Sequence, residues 1–261
     1  AADGTGSLAA LAADLPEHFA PVPRADDDLA AFLYTSGTTG RSKGAMLTAG
    51  NLISNAEVLT EAWRFTEADV LVHALPISHT HGLFVATNVM LLAGGATIFH
   101  PKFDAAAALR DLPRATAMMG VPTFYTRLLE RPDFTRQTCA NMRLFVSGSA
   151  PLLAETHRRF EARTGHRILE RYGMTETNMI TSNPYEGDRR AGTVGLPLPG
   201  VAVRICDAEA RAVPQGETGV IEVQGPNVFQ GYWQMPEKTA EEFRADGFCI
   251  TGDLARQDAD G

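Results

Sequence analysis

Apolar positions along the chain fall into short continuous runs and into longer stretches with helical spacing, and the two kinds alternate. The runs LAAFLY, DVLVHALP, ATIFHP, ATAMMGVP, MRLFVSGSA and HRILERYG are typical of buried strands. TAGNLISNAEVLTEAW, a buried GLFVATNVMLLAGG, DAAAALRDL, TFYTRLLE and PLLAETHRRFEARTG are typical of helices, with Thr48 as a candidate cap and Gly165 as a stop. This alternation predicts an α/β fold with a parallel sheet covered by helices.

The pattern changes near residue 196. From there to residue 233, apolar positions alternate with polar ones between Gly and Pro turns, which is typical of β-strands. We therefore predict three parts: a lead-in over 1–25, an α/β subdomain over 26–195, and a smaller β-rich, barrel-like subdomain over 196–261. The last part opens at the hinge GLPLPG.

Composition narrows the class of protein. The 261 residues are 44% apolar and carry a formal net charge of −8, which argues against a general nucleic-acid or anionic-membrane partner. Cys139, Cys206 and Cys249 are far apart and form no C-x-x-C pair, as expected for reduced thiols. No run approaches the roughly 18–20 apolar residues of a membrane span, and the first residues lack a signal-peptide pattern. We expect a cytoplasmic protein.

The segment YTSGTTGRSKG, residues 34–44, is the most informative stretch. Its glycines let backbone N–H groups approach an anion closely, and it adds hydroxyl donors and two cations. We expect a strand before it and a helix after it. Gly44 follows the lysine, so the Walker A spacing is absent, and a solvated turn is the alternative. The candidate anion-binding residues are Thr35, Ser36, Gly37, Thr38, Thr39, Gly40, Arg41, Ser42 and Lys43.

This segment and several later ones resemble the motifs of a known superfamily. YTSGTTGRSKGAMLT resembles the phosphate-binding signature of adenylate-forming enzymes. ALPISHTHGL, RYGMTET, GETGVIEVQGPNVFQGYW and TGDL resemble later motifs in the expected order, from about residue 26 onward. The resemblance implies an enzyme that uses ATP and Mg²⁺ to join a carboxylate to AMP and then to the thiol of coenzyme A. ERYGMTETNM and GVPTFYTRLL are most similar to members that activate malonate.

The same resemblance implies a role for each motif residue. Lys43, Thr175 and Glu176 are the candidate catalytic residues, which would hold the β- and γ-phosphates, the α-phosphate and Mg²⁺ respectively. Tyr172 would stack on adenine, and Asp253 would accept hydrogen bonds from the ribose. Solvated carboxylates and an ordinary core tyrosine are the alternatives. The remaining nucleotide-site candidates, including the wall SGSAP over 147–151, are Ser149, Ala150, Pro151, Glu170 and Gly173.

Arg171 bears on which acid is bound. The resemblance suggests an uncharged residue here in members that take fatty or aromatic acids, and a guanidinium near an apolar pocket is costly unless it is paired. A second substrate carboxylate would pair with it, so we expect malonate or a 2-substituted malonate. A structural salt bridge, for instance to Glu170, is the alternative. The other acyl-pocket candidates are His79, Thr80, Ser149 and Met179, with core packing as the alternative for Thr80 and Met179.

Two histidines form an H-x-H pattern, His79 and His81. No acidic or thiol partner lies close to them in sequence, so we do not expect a metal site there. We expect His79 to line the acyl pocket instead.

The superfamily extends beyond both ends of the matching region. Its C-terminal domain supplies a lysine during adenylation, and we expect that domain to be absent here and required for turnover, so the isolated chain should adenylate poorly. Two other functions stay open. One is an adenylation domain that loads a carrier protein, although such domains usually place an Asp beside the acyl pocket and PISHTHGL has none. The other is a non-catalytic nucleotide-binding fragment. Preference for malonate or methylmalonate and the oligomeric state also stay open.

Overall fold

The structure is a computed structural model that describes residues 7–16, 18–35 and 42–261. Its strands are β1 Leu29–Thr35, β2 Lys43–Thr48, β3 Val70–His73, β4 Ala96–Phe99, β5 Ala117–Gly120, β6 Leu144–Ser147, β7 Leu169–Met174, β8 Asn178–Ser182, β9 Leu196–Pro197, β10 Ala202–Cys206, β11 Gly219–Gln224 and β12 Cys249–Ala255. Its helices are α1 Ser7–Ala12, α2 Ala49–Ala62, α3 Thr87–Ala93, α4 Ala105–Asp111, α5 Pro122–Leu129, α6 Ala154–Thr164 and α7 Pro236–Glu241. A π-helical segment, His81–Ala86, leads into α3.

A seven-stranded sheet organises the chain. Its strand order is β4-β3-β5-β6-β7-β8-β9, with parallel pairing from β4 to β7 and antiparallel pairing for β8 and β9. The strands and helices bury a common core whose largest side chains include Trp63, Tyr125, Phe145 and Phe160. A separate antiparallel sheet, β10-β11-β12, follows. The predicted fold class is confirmed, because a mostly parallel sheet with helices precedes a smaller β-rich part.

The prediction for the segments that flank the glycine-rich loop is right about the strand before it, and wrong about the burial of that strand and about the element that follows. The run LAAFLY is a strand, but among the described residues β1 pairs with β2 alone, and its side chains are exposed or half-buried. No helix follows the loop directly, since β2 comes first and α2 begins at Ala49. The physical reason is pairing on both sides of β2: it pairs antiparallel with β1, and on its other side Met46 N donates to Gly231 O at 2.9 Å and Trp233 N donates to Gly44 O at 2.8 Å. These bonds hold the residues after the loop extended.

The segment GLFVATNVMLLAGG also differs in part from its prediction. It begins as a π-helical turn, and only one face of α3 is buried, with Leu91 73% exposed. The helix ends, as expected, at Gly94, which adopts a left-handed φ of 72°. β9 extends the large sheet as far as Pro197, and the division of the chain at residue 196 stays a proposal. Among the described residues, no helix has the length and apolar character that crossing a bilayer requires.

The capping box of α2 gives a testable prediction. Thr48 Oγ1 accepts a hydrogen bond from Asn51 N at 3.1 Å, and Asn51 Oδ1 accepts one from Thr48 N at 3.0 Å. Thr48→Ala removes an acceptor for a buried helix-end N–H, so we expect the free energy of unfolding to fall by about 1–2 kcal/mol in urea denaturation. Ser54→Ala in the same helix is the control, with an expected change below about 0.5 kcal/mol. Equal losses would contradict the capping role.

Candidate functional site

A cavity of about 740 Å³ opens where several parallel strands of the large sheet end. The segments after β3, β5 and β6 line it together with the end of β7, which is the usual place for a ligand in an open α/β sheet. Residues far apart in sequence therefore meet here. The predicted site residues that line the cavity are His79, Thr80, Ser149, Arg171, Gly173, Thr175, Glu176 and Met179.

Arg171 places an unpaired positive charge in this cavity. The side chain is 2% exposed, and its Nε and Nη2 atoms have no hydrogen-bond partner. Among the residues that the structure describes, it forms no ion pair within 4.0 Å, so a salt bridge to Glu170 is not formed. Burial lowers the pKa of Arg171 to about 9, which leaves it charged at neutral pH. Gly148 makes room for it, because a Cβ atom at that position would overlap the guanidinium.

His81 and Ser149 lie on the same side of the cavity as Arg171. His81 Nδ1 lies 3.1 Å from Ser149 Oγ, and His81 Nε2 is buried without a partner. Burial holds the pKa of His81 well below 6.5, and Arg171 lowers it further, so the ring is neutral. Ser149 has a φ of 65°, an unusual value for a residue other than glycine. The cavity thus holds several polar groups beside the guanidinium that can contact an anion.

Glu176 also lines this cavity and belongs to a second group of polar residues, which we call the polar end. It is 6% exposed, and its Oε1 atom accepts hydrogen bonds from the hydroxyls of Tyr232 at 2.8 Å and Thr35 at 3.3 Å. The Tyr232 oxygen in turn accepts a hydrogen bond from Lys43 Nζ at 3.0 Å. The structure thus brings together Thr35, Lys43 and Glu176, which the sequence nominated separately.

Tyr172 and Asp253 also meet, across the two sheets. The Tyr172 hydroxyl donates to Asp253 Oδ2 at 2.5 Å. Burial and this hydrogen bond raise the pKa of Tyr172, so the phenol stays protonated and Asp253 remains an acceptor. The tyrosine is half-buried and the aspartate is exposed. A carboxylate held in this way can accept further hydrogen bonds from a ligand.

Glu170 does not line the cavity. It is buried, and its Oε1 atom accepts a hydrogen bond from Leu152 N at 2.9 Å. Burial raises the pKa of its carboxyl group. Glu170 therefore anchors the segment over 147–152, which includes Ser149, Ala150 and Pro151, and its direct contact with a ligand stays a prediction.

Other predicted residues lie outside what the structure describes. Ser36, Gly37, Thr38, Thr39, Gly40 and Arg41 fall in the gap between residues 35 and 42. Thr35 and Ser42, which flank that gap, are described, and Lys43 begins β2.

Sequence reasoning missed several residues of the site. His81 was considered only as a metal ligand, although its place one residue after Thr80 was a usable signal. Tyr232 lies in the motif stretch GETGVIEVQGPNVFQGYW, but nothing in the sequence pairs it with Lys43. Phe103 and Phe124 also line the cavity, with ring centroids 4.0 Å apart, and only the fold brings them together.

These features define an α/β ligand-binding protein whose cavity suits an anion at one end and carries a carboxylate, hydroxyls and a nearby lysine at the other. The chain belongs to the AMP-binding enzyme family, which matches residues 3–233.

Similar proteins cover this chain almost completely. A malonate–CoA ligase of Arabidopsis thaliana is 43% identical over 255 residues, which is 90% of this chain and 41% of that protein. The crystal structure of ATP-bound MatB from Rhodopseudomonas palustris is 63% identical with a TM-score of 0.96, and the match covers 99% of this chain and 52% of that one. A malonyl-CoA ligase complex with methylmalonyl-CoA and AMP is 44% identical with a TM-score of 0.86, and the match covers 93% and 54%. The chain therefore spans about half the length of these relatives.

The neutral state of His81 predicts a pH dependence of stability. The folded protein keeps this ring unprotonated, whereas the unfolded chain takes up a proton near the ordinary pKa of 6.5, so stability is lost as the pH falls below that value. His81→Gln removes this contribution. We compare the free energies of unfolding of the wild type and of this variant at pH 7.5 and at about pH 5.5, one unit below the ordinary pKa. The advantage of the wild type should be about 1 kcal/mol smaller at the lower pH.

Urea denaturation at both pH values measures the effect. The control is His18→Gln, which replaces an exposed histidine and should change the free energy of unfolding by less than about 0.5 kcal/mol. A constant difference between wild type and His81→Gln at the two pH values would contradict the neutral, buried state of the ring.

Proposed function

We propose that this chain carries the nucleotide and acyl sites of an ATP-dependent acid–thiol ligase that converts malonate or a 2-substituted malonate to its coenzyme A thioester. The supporting observation is the buried, unpaired Arg171 in the cavity. A buried charge without a counter-ion is unfavourable by several kcal/mol, so the ligand is expected to supply one. The names of the related ligases agree with this chemistry.

A dicarboxylate fits the two ends of the cavity. One carboxylate pairs with Arg171, and hydrogen bonds from Ser149 or the neutral His81 can support it. The other carboxylate then faces Thr175 and Glu176. Thr80 and Met179 bound the space between the two ends, where a 2-substituent would lie. His79 lines the same space.

The nucleotide is assigned to the polar end. The loop over 35–43 and Lys43 hold the β- and γ-phosphates, Thr175 contacts the α-phosphate, and Asp253, oriented by Tyr172, accepts hydrogen bonds from the ribose. Tyr172 and Gly173 lie against the adenine. Glu176 is the candidate Mg²⁺ ligand, and one carboxylate suffices because Mg²⁺ usually keeps waters and substrate phosphates as its other ligands. When bound, the ion neutralises charge on the phosphates.

The two chemical steps follow from this placement. A carboxylate oxygen attacks the α-phosphorus, the bond to the bridging oxygen breaks, and pyrophosphate leaves with its charge next to Lys43. The thiol sulfur of coenzyme A then attacks the acyl carbon, and AMP leaves. Arg171 holds the distal carboxylate away from the reacting one, which limits repulsion between two anions and the triphosphate.

The rest of the protein is expected to contribute as well. Because the chain spans about half the length of its relatives, we propose that a C-terminal domain supplies the lysine for adenylation and closes over the nucleotide. The cytoplasm stays the proposed location, since the three cysteines are buried and free, as in a reducing compartment.

Substitution of Arg171 tests the proposed substrate. In the natural protein that carries this chain, Arg171→Ala should lower kcat/KM for malonate by about 100-fold or more, because one carboxylate is left buried and unpaired. Butyrate has no second carboxylate, so its kcat/KM should change by less than about tenfold. Pyrophosphate release with each acid measures both effects.

The matched control is Arg127→Ala, which removes an exposed arginine from the rim of the same cavity. This variant should change kcat/KM for malonate and for butyrate by less than about threefold. Equal losses for malonate and butyrate in Arg171→Ala would remove Arg171 from the specificity role.

A further inference from the structure

Lys43 is held by two side chains from a distant part of the sequence. Its Nζ atom lies 3.0 Å from the Tyr232 oxygen and 4.3 Å from the centroid of the Tyr232 ring. A carboxylate oxygen of Glu242 lies 3.5 Å from the same nitrogen, at the long limit of a hydrogen bond. The tyrosine contact is therefore the closer one, and the glutamate contact is the weaker and more easily replaced.

The hydrogen-bond direction at Tyr232 follows from chemistry. An ammonium group can only donate and a carboxylate can only accept, so the Tyr232 hydroxyl donates to Glu176 and accepts from Lys43. Burial raises the pKa of Tyr232, and the negative charge of the neighbouring Glu176 raises it further. The hydroxyl group therefore keeps its proton. One hydroxyl thus connects the candidate phosphate lysine with the candidate metal carboxylate.

The backbone fixes Tyr232 against the strand that Lys43 begins. Residues 230–233 pair with β2 through hydrogen bonds on both sides of Tyr232, at Gly231 and Trp233. Tyr232 N also donates to Thr239 Oγ1 at 2.9 Å, and its ring packs on Phe229 with centroids 5.0 Å apart. The side chain is 3% exposed, so its hydroxyl has little freedom to move.

Glu242 has a second cationic partner. Lys238 Nζ lies 3.2 Å from the same Glu242 oxygen that faces Lys43. When a phosphate takes the place of Glu242 at Lys43, the glutamate keeps an ion pair. Displacement of Glu242 therefore leaves no unpaired charge behind.

We propose that Tyr232 is a positioning residue that aims Lys43 at the β- and γ-phosphates of the nucleotide, and that Glu242 is the internal counter-ion which those phosphates displace. This inference rests on the proposed function. It predicts opposite changes in ATP affinity for substitutions at the two residues. Loss of the tyrosine hydroxyl should weaken ATP binding, and loss of the Glu242 charge should strengthen it. AMP lacks both phosphates and should be insensitive to either change.

The experiment is calorimetric titration of ATP and of AMP, with excess Mg²⁺, into the natural protein that carries this chain. Tyr232→Phe, which keeps the ring, should raise the Kd for ATP about five- to tenfold. Glu242→Gln should lower the Kd for ATP about two- to fivefold. Glu241→Gln is the matched control, because Glu241 is adjacent, exposed and paired with Lys238. AMP affinity should change less than about twofold in every variant.

A double substitution separates the contact of the Tyr232 hydroxyl with Lys43 from its contact with Glu176. In Lys43→Met, the further change Tyr232→Phe should alter the Kd for ATP by less than about twofold, since the lysine it positions is gone. An undiminished effect in that background, an equal loss of AMP affinity, or weaker ATP binding in Glu242→Gln would each overturn the inference. A wild-type protein that binds neither nucleotide would instead overturn the proposed function itself.

Discussion

A positive charge held inside a cavity, without a carboxylate partner in the described part of the chain, is the feature on which this site depends. Arg171 is buried in the main sheet at β7, and its guanidinium keeps unused donors. Such a group is unfavourable in the free protein and becomes favourable when an anion arrives. Two neighbours are compatible with this state. Gly148 leaves space for the guanidinium, and the nearby His81 is neutral and supplies no negative charge. The proposed preference for an acid with a second negative group rests on that arrangement.

The polar end of the cavity follows a different rule. There, two charged groups have partners among the described residues: Glu176 is bonded to Tyr232 and Thr35, and Lys43 to Tyr232 and Glu242. Under the proposed function, a nucleotide at this end exchanges existing contacts, so its affinity reflects a difference between two sets of interactions. The proposal thus gives the two groups of residues different ligands: a small acid that pairs with Arg171, and a polyphosphate that replaces Glu242 at Lys43.

Much of the fold could be predicted from local pattern. The buried runs that became β3, β5 and β6 are short and apolar, and the helix after Thr48 has both helical spacing and a cap, so neighbouring residues decide these elements. The motif residues Arg171, Thr175 and Glu176 were nominated from one short stretch, and the structure places all three on the cavity. β2 was missed because its extended state depends on pairing partners on both sides: β1 across the glycine-rich loop, and residues 230–233, almost two hundred positions away.

The amino-acid order alone was enough for the α/β class, for the family resemblance and for the nomination of an arginine as the acid-selecting residue, because periodicity, glycine content and charge are local properties. It could not decide whether Arg171 had an internal partner, which is a question of three-dimensional distance. Nor could it join Tyr232 to Lys43, or Tyr172 to Asp253, since the partners come from different sheets and loops. Pairing of polar groups depends on approach within about 3 Å, and only the folded chain sets such distances.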